Sequence, residues 1–252
     1  MSNGLLLSGN IYIDRLSATG VSQGKIGPIN VTQLAINTPS EQVTRTSKKK
    51  ATYGQALDSV SIAQPATVAI SIDDQPADIL AMALLGDTAT INQGSGDATD
   101  ELVTLLANGR WTPLANKNLA SAGISALLAL DDSPIAATEY EINYALGLIR
   151  AKPGGSLADG DDIKLTYQYN ALTGTKVKGG IKSQIRMNIT GDMTNLATGN
   201  PGTLEIFEAT VSPTEAVDFM ASEFVSTTLS GNCKLVDGQD APFEYIDVTP
   251  AE

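Results

Sequence analysis

The 252-residue chain contains no histidine, one cysteine (Cys233) and one tryptophan (Trp111). Without histidine, no Ser-His-Asp triad, Cys-His pair or histidine metal site can be assembled. A single cysteine allows no intramolecular disulfide, no cysteine-based zinc site and no iron–sulfur cluster. Aromatic residues make up 5% of a chain that is 42% hydrophobic, so the core has to be built from Ala, Val, Ile and Leu. The longest apolar stretches, Ile79–Leu85 and Ala126–Leu130, fall well short of the ~20 residues that span a bilayer, so no membrane segment is expected. The N-terminal MSNGLLLSGN has no basic region ahead of its leucines and is not expected to act as a signal peptide. A lone cysteine fits a reducing compartment. The expectation from these absences is a protein with no catalytic residue, no metal ligand set and no cofactor.

What is present is acid, and it is unevenly spread. The chain carries 28 acidic and 16 basic side chains, a formal charge of −12, which favours solubility and opposes nonspecific binding to a phosphate backbone. Residues 1–56 hold six bases (Arg15, Lys25, Arg45, Lys48, Lys49, Lys50) against Asp14 and Glu41, a net of +4. Residues 187–252 hold eleven acids and one base, Lys234, a net of −10. Such an asymmetry suits complementary surfaces on separate copies of the chain.

The dominant pattern along the chain is strand-like: short runs rich in Val, Ile, Thr and Tyr, separated by Gly, Asn, Asp and Pro. Ile11–Arg15, Ile29–Asn37, Thr67–Asp73, Ile185–Thr190, Thr203–Val211, Phe224–Leu229, Cys233–Val236 and Phe243–Val248 all read as strands. Period two recurring this often predicts a mainly β fold. Two short helices are expected, each introduced by proline. In DDQPADILAMALLG, Pro76 occupies the first turn, Asp78 faces the positive end of the dipole and Gly86 stops the helix. In VSPTEAVDFMASEF, Ser212 is a cap, Glu215 has capping-box spacing, and Ala216, Val217, Phe219, Met220 and Phe224 form an apolar stripe.

Between the two lies a different region. Residues 90–100 (TINQGSGDATD) read as a linker. Beyond them, Tyr140, Ile142 and Tyr144, and then Ile163, Leu165, Tyr167 and Tyr169, alternate with polar residues, as in a small antiparallel sheet or sandwich with one wet face. The predicted organisation is a discontinuous β domain, 1–95 and 178–252, carrying an inserted β-rich module over 96–177. The basic segment Thr44–Gly54 (TRTSKKKATYG) is long for a hairpin connection, and loops of that length usually carry function or are disordered.

Several segments invite chemistry and do not sustain it. Asp159-Gly160-Asp161-Asp162 lacks the ligand spacing and terminal Glu of a calcium loop and reads as a hairpin turn. Asp73-Asp74 precede a helix start, and Gly94-Ser95-Gly96 is not followed by the Lys-Ser/Thr of a phosphate loop. Lys48–Lys50, with only Tyr53 nearby and a −12 background, is a weak nucleic-acid signal and reads first as a solvated loop and next as an electrostatic protein contact. Trp111, Tyr140 and Tyr144 read as core or sheet-face aromatics, and Cys233 as a small buried hydrophobe.

The order of elements, with TRTSKKKATYGQALDSVSIAQPATVAISIDDQPADILAMALLG in the first half and TLEIFEATVSPTEAVDFMASEFV in the second, resembles the major tail tube proteins of long-tailed, flexible-tailed bacteriophages. EYEINYALGLIRAKPGGSLADGDDIKLTYQY is similar to the β modules common in phage structural proteins. The resemblance implies a tail-tube-like β-sandwich or barrel with short flanking helices, the 96–177 insert lying outside the tube. It implies self-assembly into hexameric rings that stack around a tape-measure protein and meet tail terminator and tail-tip proteins. It further implies DNA passing through the lumen without specific binding, a place in the virion tail, and assembly in the host bacterial cytoplasm. On this resemblance Arg45, Lys48, Lys49, Lys50 and Tyr53 are the inter-ring loop residues. Asp192, Glu205 and Glu208 are the candidate lumen-facing acids, since a conduit should repel phosphates. Two rival readings stand beside it: a β-rich virion decoration or adhesin module that binds a partner without making a tube, and a carboxylate-dependent polysaccharide hydrolase.

Overall fold

A computed structural model describes residues 4–106 and 109–248. The chain divides into two compact units, one from residues 1–88 and 177–252 and the other from 89–176. The first unit contains β1 (Leu7–Leu16), β2 (Ser22–Ile29), β3 (Val31–Asn37), β4 (Ser40–Thr46), β5 (Ala56–Ala63), β6 (Thr67–Ile72) and α1 (Ala77–Ala83). The chain leaves it along β7 (Asp87–Gln93). The second unit comprises β8 (Gly96–Thr104), β9 (Thr112–Pro113), β10 (Ser125–Leu128), β11 (Pro134–Ile135), β12 (Tyr140–Asn143), β13 (Leu148–Ala151) and β14 (Asp162–Tyr169). The return strand β15 (Leu172–Lys178), which pairs with β7, leads to β16 (Ile185–Asn195), β17 (Pro201–Pro213), β18 (Thr227–Cys233) and β19 (Phe243–Asp247). The protein is mainly β.

The first unit is organised by an antiparallel sheet of order β2-β1-β16-β17-β18-β6-β3, with β19 pairing β17 alongside β18. The alternation that marks these segments in the sequence is the alternation of their faces. Ile185, Met187 and Ile189 are buried on β16, and Val68, Ile70 and Ile72 on β6. Together with Ile13, Ile206, Val211 and Leu229 they form one apolar cluster, to which Cys233 also belongs. The topology explains why one cluster suffices. β2 and β3 are the two ends of the seven-strand path, yet Asn30 alone separates Ile29 from Val31. Two Cα steps cover no more than roughly 7.6 Å, so the sheet must curl until its edges meet at that corner. The run Ile29–Asn37, expected to be one strand, is therefore broken at Asn30.

α1 packs Ile79 and Met82 against this core. Pro76 is its N-cap, Asp78 lies in its first turn, and its last turn closes with Gly86 N–H on the Ala81 carbonyl and Leu85 N–H on that of Met82. This is a Schellman arrangement in which Leu85, not the expected Gly86, takes the left-handed conformation (φ 49°). Gly86 answers a different need: a Cβ there would lie 2.0 Å from the Lys178 carbonyl oxygen.

The second expected helix does not form. Residues 212 and 213 end β17, and 214–226 run as turns and bends, with Phe219, Met220 and Phe224 exposed at 67%, 91% and 99%. Cap signals cannot hold a short helix whose apolar face meets nothing, because nucleation is costly and only packing repays it. The expected strand at Phe224–Leu229 accordingly starts at Thr227, and of that expected at Cys233–Val236 only Cys233 is strand, the last residue of β18, while 234–236 leave the sheet. The expected linker 90–100 is also strand, the close of β7 and the start of β8 around Gly94-Ser95.

The second unit has two sheets, β11-β10-β14-β8 and β12-β13-β9, which share an apolar cluster of Leu105, Ile149, Ile163, Leu165 and Tyr167 among others. This is a small sandwich. The Tyr167 hydroxyl, fully buried, donates to Glu101 Oε2 at 2.5 Å and accepts from Asn116 Nδ2 at 3.2 Å. Trp111 lies under the Arg150 guanidinium at 4.5 Å. Asp159–Asp162 makes the turn into β14, with Gly160 at φ 87°.

Strand β18 offers a direct test of the sheet. A Cβ on Gly231 would stand 1.9 Å from the Thr210 carbonyl oxygen and 2.7 Å from Val211 Cα. Gly231→Ala is expected to force β17 and β18 apart and lower unfolding stability by at least ~1–3 kcal/mol, read by urea denaturation.

Candidate functional site

The most exposed secondary structure is the β4–β5 ribbon. Its strands pair from Ser40↔Ala63 to Thr46↔Ala56, and every residue of both is exposed. Because directly opposed residues share a face, one face carries Glu41/Ile62, Val43/Val60 and Arg45/Asp58. The other carries Ser40/Ala63, Gln42/Ser61 and Thr44/Ser59. Ile62, Val43 and Val60 are exposed at 48%, 52% and 59%, with no core beneath them. β3 and β6 pair in the main sheet and run directly into this ribbon, so it extends the sheet's edge hairpin.

The ribbon's tip is ordered by Ser47. Its hydroxyl is 2.7 Å from that of Thr52 and accepts the Lys49 N–H, while its backbone bonds to Gly54 and Gln55. This knot leaves Lys48, Lys49, Lys50 and Tyr53 exposed, with Tyr53 at 72%. Arg45 sits below them on β4, across from Asp58. The segment expected to be a long loop is thus a hairpin end that gathers all five candidate residues.

The three candidate acids lie on the face of β16 and β17 away from the core, where they divide into two kinds. Asp192 is exposed and Glu205 half-buried, the latter accepting from Asn188 Nδ2 at 3.2 Å. Glu244 on β19 stands directly across from Glu205. Glu208 differs: its side chain is 6% exposed and clamped by Arg186 at 2.6 Å and Lys234 at 3.3 Å. Its charge is neutralised within the fold, so it presents no free acid. Arg186 also donates to the Ala18 carbonyl.

Sequence reasoning missed what surrounds Glu208. A recess of about 570 Å³ is lined by Arg15, Lys182, Arg186 and Lys234, with Glu208 and the apolar Leu16 and Ile181. Arg15 and Lys182 both reach Asp87, at 2.7 and 2.8 Å. The four cations come from three distant stretches of chain, so no linear signal betrays them. The hydrogen bond from Lys182, with Arg15 beside it, holds the Asp87 carboxyl below its ordinary value. Burial alone pushes the Cys233 thiol up, away from thiolate character.

Among the described residues no group of three or more Cys, Asp and Glu side chains could hold a metal ion, and no helix is long and apolar enough to cross a membrane. Fold and surface together define a mainly β protein whose distinctive features are an uncovered ribbon, an acidic sheet face and a basic recess. The chain belongs to the family described as protein of unknown function UCP028589, whose model matches residues 5–241. No curated protein matches it.

Two outcomes follow from the ion pairs. Glu208→Ala leaves the half-buried Arg186 without its carboxylate partner and is expected to cost roughly 1–3 kcal/mol in chemical denaturation, with Glu208→Gln costing less. Asp87 has a lower pKa folded than unfolded, so its contribution is complete above the ordinary value of 3.8 and is lost as pH falls through the folded value. Asp87→Asn should therefore flatten the acid limb of the stability-against-pH curve below about pH 4 and leave its shape near neutrality unchanged.

Proposed function

We propose that this protein is a structural subunit that assembles with copies of itself into hexameric rings, which stack as the tail tube of a long-tailed bacteriophage and conduct DNA. The observation that carries the reading is the β4–β5 ribbon. A two-stranded hairpin alone is at best marginally stable in water, and this one exposes both faces, including Val43, Val60 and Ile62. Such a ribbon is completed by a surface outside the chain. In the tail tube family, which the sequence resembles, a long hairpin reaches the neighbouring ring, and here its tip is tribasic in a chain of net charge −12.

Two further features support the reading. The exposed backbone of edge strands must be paired or covered to avoid uncontrolled association, and lateral joining of sheets does this. Asp192 and Glu205 lie on a solvent-side sheet face with Glu244 beside Glu205, and an acidic lining would let phosphates pass without capture. In this reading the protein has no catalytic role, acts in the virion tail, and contacts tape-measure, terminator and tip proteins along the tube. The second unit, with its own core, lies on the tube exterior.

Purified protein viewed by negative-stain electron microscopy is expected to show hexameric rings or hollow filaments. Replacing Lys48, Lys49 and Lys50 together by Glu should abolish stacking while the monomer keeps its wild-type circular dichroism. Filaments of ordinary length from that variant would remove the tip from the contact.

A further inference from the structure

The recess around Glu208 and the segment 214–226 are both anomalous in a single chain, and in opposite ways. The recess gathers four of the chain's sixteen Lys and Arg residues against a background of −12. Each carboxylate within reach is shared by two cations: Asp87 by Arg15 and Lys182, Glu208 by Arg186 and Lys234. Two positive charges are therefore left over, beside apolar Leu16 and Ile181, in a volume within the ~300–1,000 Å³ typical of sites that bury a ligand. Ile181 is itself 56% exposed.

The segment 214–226 has the complementary character. It carries Glu215, Asp218 and Glu223 and no base. It presents Phe219, Met220 and Phe224 to water, a clustering that marks an interaction site. It is tied at its start by Thr214 N–H to the Thr228 carbonyl, and Asp218 Oδ1 fixes a turn by accepting the Met220 N–H. None of its residues lines the recess. An acidic segment with large apolar side chains and a basic recess with an apolar wall match in charge and in kind.

We infer that the 214–226 segment of one copy seats in the Arg15–Lys182–Arg186–Lys234 recess of a second copy, Asp218 and Glu223 meeting its surplus charge and Phe219 or Phe224 covering Leu16 and Ile181. The inference rests on the self-assembly reading above and adds a contact separate from the ribbon's. It also gives the second half of the chain, with its net charge of −10, a specific acceptor.

The test is a charge swap that spares the two arginines, of which Arg15 is buried and Arg186 half-buried. Lys182→Glu with Lys234→Glu, and separately Asp218→Lys with Glu223→Lys, are each compared with the four-fold combination. Sedimentation velocity over a concentration series gives association, and circular dichroism confirms folding. Each pair of reversals is expected to raise the concentration needed for association by about tenfold or more, and the combination to restore most of it. Loss from the recess variant alone, with the segment variant associating as wild type, would mean another acidic group occupies the recess and overturns the inference. So would wild-type association in every variant, which leaves the tube reading intact. A wild-type chain that stays monomeric at every concentration overturns both. Should Lys182→Glu fail to fold, Lys182→Ala with Lys234→Ala replaces it, with a smaller loss expected and the same contrary outcomes.

Discussion

Ile29 closes one edge strand of the main sheet and Val31 opens the other, with Asn30 alone between them. That short covalent link decides much of the rest. Seven strands whose first and last members share a corner cannot lie flat, so their inward faces converge on one core. That core, built from isoleucines and methionines with almost no aromatic rings, is possible because the curled sheet supplies short opposed side chains from every strand. The same corner starts the β3–β6 hairpin, which continues past the core as the β4–β5 ribbon. A strand pair that leaves its core has backbone hydrogen bonds but nothing under either face.

Electrostatics follows the same division between what the fold satisfies and what it leaves open. Glu208 and Asp87 each hold two cations, so the recess is internally bonded and still positive. Arg186 and Lys234 offset the cost of burying the Glu208 carboxylate. The free charges lie elsewhere: three lysines at the ribbon tip, acids on the β16–β17–β19 face, and more acids in the 214–226 segment. Of the bases in residues 1–56, Arg15 is paired with Asp87, and of the acids in residues 187–252, Glu208 is paired with Arg186 and Lys234, while the lysines of the ribbon tip and Asp192 remain exposed.

The strands were legible because half-burial writes period two directly into residues such as Ile185–Thr190 and Thr67–Ile72. The α1 helix was legible because Pro76 and Asp78 coincide with an apolar stripe that has a sheet to meet. The 214–226 segment carries the same local signals and forms no helix, which shows that cap residues and periodicity decide nothing without a surface to pack on. The basic tip was visible as a charge run in a hairpin connection, whereas the Ser47 hydrogen bonds that order it were not. The recess was invisible: Arg15, Lys182, Arg186 and Lys234 are ordinary surface bases in sequence and become a site only through the pairing of β1, β16 and β17. Glu208 looked like its neighbour Glu205 for the same reason, since the bulge that shifts the β16–β17 register between Met187 and Ile189 is not written in composition.

In the proposed assembly a second copy of the chain covers the ribbon. Amide hydrogen exchange over residues 40–63, compared between dilute and associated protein, addresses this most directly. Fast exchange across β4 and β5 is expected in dilute protein and strong protection on association, with β16 and β17 protected in both. Equal protection of the ribbon in both states would contradict it.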